Sequence, residues 1–379
     1  VSYSDDLARV IRTVIEPAAR HVDDHATFPR AAVTALGRAG ILGLTVPARY
    51  GGGGKGLAEA VHVLEQVGRA CGSTAAVLQA HFAATAVLTE YGAPTVLEDI
   101  AAGRHLATPA LSEFGEQQLL APGRPPSTHG GVVDLHARKS WVIAAGEADS
   151  YVWSSGAFGG NGSSTVWMVP AEAPGLCVPD TRDGVGLRGS SSATVTADPA
   201  QVPSSAMLGA DGAGTDIVQA TVLPWSLALN AAMALGSMEA VIRRSVECVT
   251  GPQPSWTRWQ TSPAHQIEVR ADVARMKAKA RVVRVALNDA VQAAVWRDED
   301  FSVRLLETMP TAADAAVQVA ELGMKVCGQS AFRKDIGIER RFRDAHTAGY
   351  GHLTTDTVLD LLGRTACGIP WQDGVLEAG

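Results

Sequence analysis

From Ile217 to Met238 the chain reads IVQATVLPWSLALNAAMALGSM, without one charged side chain. On length alone such a run could cross a bilayer. It also holds Gln219, Pro224, Asn230 and several Ala and Ser, a make-up that suits a helix enclosed by other helices. The fold must therefore supply a bundle around it, and the neighbouring sequence offers the partners. Apolar positions recur at helical spacing over Ala264–Val295, Ala312–Val326 and Thr354–Gly363, which with Pro224–Val249 predicts a C-terminal four-helix bundle.

The same spacing runs through residues 3–26 (Leu7, Val10, Ile11, Val14, Ile15, Ala18), then Arg30–Ala39, Glu59–Ala70 and Thr74–Tyr91. Between these helical halves the pattern changes. Short β-branched runs (Val132–Leu135, Lys139–Ala144, Tyr151–Trp153, Ser164–Val169, Ala193–Ala197) alternate with Gly, Pro, Ser and Asp. The expected fold is α+β: an N-terminal helical domain over 1–106, a middle β domain over 107–210 and the helical bundle over 211–379.

With 379 residues and 46% apolar composition the chain can bury two or three cores. A formal charge of −7 argues against nucleic acid as partner. Cys71, Cys177, Cys248, Cys327 and Cys367 are scattered and odd in number, with no metal spacing, which reads as reduced thiols and no metal site. The charged, amphipathic N-terminus does not read as a signal peptide, so the expectation is cytoplasmic, with no membrane partner.

Unusual chemistry gathers between Ala320 and Arg364. A helix ends at Cys327-Gly328, where glycine can take positive φ. The cluster Glu339-Arg340-Arg341-Phe342-Arg343-Asp344 suits either phosphates or a salt-bridged corner. His346 and His352 then flank Gly349-Tyr350-Gly351, and Thr354 is a good N-cap, with Asp356 in the turn that follows. Elsewhere, His81 lies in an almost uncharged helix and reads as a core histidine or a functional one. Gly51-Gly52-Gly53-Gly54 reads as a flexible connection, since no strand precedes it to make a phosphate loop.

In their common order these pieces resemble the acyl-CoA dehydrogenase superfamily. Pro47 to Gly52 matches its Pro-x-x-Tyr-Gly-Gly loop, Ala110-Leu111-Ser112-Glu113-Phe114-Gly115 its Ala-Leu-Thr-Glu-Pro-x, and Lys139-Ser140-Trp141-Val142-Ile143 its Lys-x-Trp-Ile-Thr. The resemblance implies an acyl-CoA dehydrogenase-like fold with a β-barrel-like middle domain, and a homodimer or homotetramer. It also implies FAD, with FMN as the alternative, against Ser112, Trp141, Ile143, Thr354 and Asp356. Arg258, Gln266 and Gly328 would meet the adenine and pyrophosphate end of a neighbour's cofactor.

Counting from Arg343-Asp344-Ala345, the family's catalytic glutamate falls on His352, and counting back from Gly236 its alternative position falls on Ser226. Neither holds a carboxylate. The resemblance thus implies an acyl-thioester oxidoreductase, on CoA or a carrier protein in a specialised biosynthetic pathway, with His352 as base. His81 and His346 are further catalytic candidates, and an electron-transfer or flavin-reductase partner completes the cycle. A two-component reduced-flavin monooxygenase on the same fold, acting on another small molecule, is the second reading. A non-catalytic scaffold is the third.

Overall fold

The computed structural model describes residues 3–113, 123–159, 163–179, 184–251, 262–348 and 354–370. His352, Arg258 and residues 114–122 lie outside the described residues. The chain opens with α1 (Tyr3–Val10), a π-helical turn (Ile11–Ile15) and α2 (Glu16–Asp24), then α3 (Arg30–Arg38), α4 (Leu57–Ala70), α5 (Gly72–Tyr91) and α6 (Pro94–Ala101). After the β layer come α7 (Gly214–Ala220), α8 (Val222–Thr250), α9 (Ile267–Trp296), α10 (Phe301–Cys327), α11 (Ile338–Ala348) and α12 (Thr355–Cys367).

The uncharged stretch forms most of α8, which packs against α4, α5, α9, α10 and α11. It is apolar enough to cross a membrane, yet most of it is buried inside the protein. Gly236 permits the approach of α4, because a Cβ there would sit 2.3 Å from the Glu65 carbonyl oxygen. Around that contact Arg284 of α9 pairs with Glu65 of α4 at 3.0 Å and with Glu239 of α8, and Arg69 pairs with both carboxylates. α10 begins well before the expected Ala312 and runs through Pro310. Proline in a helix interior costs about 3 kcal/mol. Leu305, Leu306, Met309 and Ala312 are all buried on either side of it, and that burial outweighs the lost hydrogen bond. On the far side, α9 leaves Ile267, Val282, Val285 and Trp296 exposed.

The middle layer holds β1 (Ala107–Ala110), β2 (Ser127–His129), β3 (Val132–Val142), β4 (Ser150–Gly156), β5 (Ser164–Pro170), β6 (Leu176–Cys177), β7 (Ala193–Pro203) and β8 (Met207–Leu208). They form two sheets, ordered β1-β4-β5-β8 and β2-β3-β7-β6, with β1 parallel to β4. Tyr151, Trp153 and Trp167 from one sheet meet Leu135, Val195 and Val202 from the other in a shared core. The two runs expected at Val132–Leu135 and Lys139–Ala144 are one strand, β3, interrupted by register shifts at Leu135/Ala137 and Lys139/Val142. A bulge breaks the period-two pattern, so one strand reads as two.

The four-glycine loop is not a flexible connection. Gly53 N–H donates to Gly43 O and Gly54 N–H to Val46 O, each at 2.9 Å. A Cβ on Gly52 would lie 2.2 Å from the Val46 carbonyl oxygen. The glycines are there for close packing.

Candidate active site

The second register shift in β3 determines how Trp141 is presented. Its φ is +55°, a backbone that bulky residues rarely adopt, and it leaves the side chain 56% exposed. Beside it, Ser140 N–H donates to Ser112 O at 3.0 Å. Lys139 Nζ meets Leu111 O at 3.2 Å, Glu113 Oε1 at 2.5 Å and Ser154 Oγ at 2.8 Å. The segments 110–113 and 139–143, apart in sequence, are thereby fastened together. Ile143 is half-buried, and its carbonyl accepts from the Thr108 hydroxyl at 2.7 Å.

An open cleft lies in the helical part, walled by α8, α10, α11 and the α4–α5 junction. Gly68, Gly72, Met233, Met309, Ala313 and Ala316 make most of it apolar, while Asn230, Ser237 and Asp344 bring polar atoms. Asp344 accepts from Leu187 N–H at 2.6 Å, and burial pushes its carboxyl above the usual range. Ala348, the last described residue of α11, also lines the cleft. It stands four positions before His352.

The two other histidine candidates have described partners. His81 is wholly buried: Nε2–H donates to Leu42 O at 3.0 Å, and Nδ1 accepts from Ala107 N–H at 3.2 Å. Both ring nitrogens are occupied by backbone, so it is a satisfied core residue rather than a proton carrier. Desolvation pulls its pKa from 6.5 to about 4. The unfolded chain therefore binds the extra proton between those values, and stability is lost as pH falls through that window, by up to about 3 kcal/mol. Urea midpoints taken from pH 7 down to 4.5 should fall in the wild type. His81→Gln, which keeps a donor and an acceptor, should flatten that part of the slope; an unchanged slope would contradict the assignment.

His346 stands away from the cleft lining. Its Nδ1–H donates to Phe342 O at 2.8 Å, its ring lies 4.3 Å from that of Phe342, and Nε2 faces Glu321 at 4.0 Å. It closes the end of α11. The basic cluster is a salt-bridged corner: Arg343 pairs with Asp23 and Glu339, and buried Arg341 donates to Gly337 O and Arg69 O at 2.9 Å.

Thr354 caps α12, its hydroxyl accepting from Thr357 N–H at 3.2 Å, and Asp356 is exposed in the first turn. Gln266 precedes α9, and Gly328, at φ +52°, follows α10. Lys325 reaches Asp272 at 2.7 Å, which sets those two helix ends side by side, in a different part of the molecule from the described cleft wall. Sequence reading used Asp344 as a register mark and as part of the basic cluster, and Asn230 only as a sign against a membrane span. Nothing local says where either side chain faces, so only packing brings them to one cavity.

Residues 2–104 match the acyl-CoA dehydrogenase N-terminal domain and residues 212–366 the acyl-CoA dehydrogenase C-terminal domain. The chain belongs to the acyl-CoA dehydrogenase family. It is 27% identical to the cyclohex-1-ene-1-carbonyl-CoA dehydrogenase of Geobacter metallireducens, over 90% of each chain. Butyryl-CoA dehydrogenase from Megasphaera elsdenii superposes with a TM-score of 0.87 at 20% identity, over 96% of this chain and 98% of the other. The prolyl acyl carrier protein oxidase AnaB superposes at 0.83 and 19%, over 96% and 98%. Membership makes the chain a flavin-dependent oxidoreductase whose cofactor is FAD. The residues present fit a flavin ring: the strained bulge holds an exposed indole out from the sheet next to the Ser112 backbone.

Proposed function

We propose that the chain desaturates an acyl thioester, carried on CoA or on a carrier protein's pantetheine arm, in a specialised biosynthetic pathway. Trp141, Ser112, Ile143, Thr354 and Asp356 would hold the flavin ring, with Gln266, Gly328 and Arg258 toward its adenine end. The bound flavin supplies the acceptor for the β-hydrogen and its electron pair. His352 takes the α-proton, the task that the family gives to a glutamate.

One observation carries this reading. Among the described lining residues, Asp344 is the only carboxylate, and it already accepts a backbone N–H. One of its oxygens is thus engaged in holding the Leu187 segment, and Ala348 leads directly into the segment that contains His352, where the register from Arg343 puts the base. The apolar remainder suits an acyl group and excludes water, which favours proton abstraction from carbon. That the fold also serves the carrier-protein oxidase AnaB supports keeping both thioester carriers in view.

The test is anaerobic mixing of holoenzyme with hexanoyl-CoA and hexanoyl-pantetheine. Bleaching of the visible flavin band and a product lacking two hydrogens are expected. Restoration of the band by an electron-transfer protein or by dioxygen identifies the acceptor. Oxygen insertion dependent on a flavin reductase would replace this reading with the monooxygenase one.

A further inference from the structure

The α8 wall of the cleft carries hydrogen-bonding groups that no described residue uses. Asn230 and Ser237 both line the cleft, and neither side chain has a partner among the described residues. One turn before Asn230 and outside the described lining, Ser226 is 1% exposed, and its hydroxyl has no partner among the described residues. At about 100° per residue these three positions fall within roughly 40° of one another around the helix. With a rise of about 1.5 Å per residue they span about 16 Å along it. Apart from Asp344, the described side chains that line the cleft with them are apolar, with Met233 on the same face and Met309 and Ala313 across on α10.

Helices can satisfy serine by bonding it back to the carbonyl one turn earlier. Thr221, Thr250 and Thr308 do so elsewhere in this bundle, whereas Ser226 does not. Water can serve Asn230 and Ser237 while the cleft is empty. A plain alkyl chain would displace that water and leave both groups unpaired, which disfavours such a ligand.

We infer that the Asn230–Ser237 face of α8 selects an acyl group bearing neutral hydrogen-bonding substituents, such as hydroxyl, oxo or amide, over a plain hydrocarbon acyl group of equal length. This rests on the acyl-thioester reading above and specifies its substrate class. A carboxamide and hydroxyls can each donate and accept, so they match neutral groups of either polarity. They carry no charge to pair with an ammonium. Asp344 is the sole carboxylate among the described lining residues, and it already accepts the Leu187 N–H.

The experiment is calorimetric titration of the FAD-loaded enzyme with pantetheine thioesters of hexanoate, 3-, 4- and 5-hydroxyhexanoate, and proline. The best hydroxylated thioester should bind about tenfold or more tighter than hexanoyl-pantetheine, the effect of one unpaired group avoided. Asn230→Leu with Ser237→Ala should remove that preference while hexanoyl binding holds or improves. Ser237→Ala alone, with an unchanged melting temperature, serves if the double variant does not fold, and should narrow the preference. Equal or tighter binding of hexanoyl-pantetheine by the wild type would overturn the inference and leave the thioester reading standing. Tightest binding of the prolyl thioester would do the same, by revealing a cation site. If no thioester binds and none bleaches the flavin, both readings fall.

Discussion

His352→Ala should lower kcat by about 10²-fold to 10⁴-fold, the range for loss of a general base, while FAD content and melting temperature stay at wild-type values. The expectation follows from what the described cleft lacks. Its one carboxylate, Asp344, holds the Leu187 N–H at 2.6 Å and is pushed toward its neutral form by burial. Asp344→Asn preserves an acceptor for that N–H and should therefore keep most of the turnover. The two variants together decide the base. If Asp344→Asn abolishes turnover and His352→Ala does not, the proton goes to the aspartate and the register drawn from Arg343 is wrong. His352→Glu adds the chemical test: retained desaturation shows that the position accepts a carboxylate as well as an imidazole.

What the sequence disclosed and what it hid divide along a physical line. Elements whose signal is local were legible. The uncharged Ile217–Met238 run demanded enclosure and is the central helix α8. Segments 110–113 and 139–143 were recognised from their own letters, and they meet across the Ser140–Ser112 hydrogen bond. Features that depend on distant partners were hidden. The helix expected from Ala312 starts at Phe301, because nothing local reveals the buried contacts that carry α10 through Pro310. Gly51–Gly54 read as slack chain, although Gly43 and Val46 take up its N–H groups. His81 is decided by Leu42 and Ala107, which lie 39 and 26 residues away. The polar residues of the cleft were the least legible of all, since a lone Asn or Ser in an apolar helix has no pattern to betray where it faces.

Lys139→Met should destabilise the protein by about 3–5 kcal/mol, the usual consequence of removing one member of a buried ion pair. Lys139 is completely buried between the two sheets and the segment leading from β1. Its ammonium has three N–H donors and three acceptors: Leu111 O, Glu113 Oε1 and Ser154 Oγ. The ammonium also lies 5.4 Å from the centre of the Trp153 ring. Burial pulls its pKa from 10.5 to about 8, and the Glu113 carboxylate pushes back. Methionine fills much of the same volume, so the loss measures the unpaired groups rather than a cavity. Glu113 is left without its cation, and Leu111 O keeps only the Ser154 hydroxyl at 2.9 Å. The damage should also reach the flavin, because the same contacts hold Ser112 beside Ser140 and Trp141. Urea unfolding with far-ultraviolet dichroism gives the stability change, and flavin retained after gel filtration gives the functional one. Adding Glu113→Leu should recover much of the stability, since a buried pair replaced on both sides by apolar groups is often neutral. It should recover less of the flavin, whose binding needs the strand and loop in register. A single variant as stable as the wild type would mean that the ammonium is not what joins β3 to the Leu111–Glu113 segment.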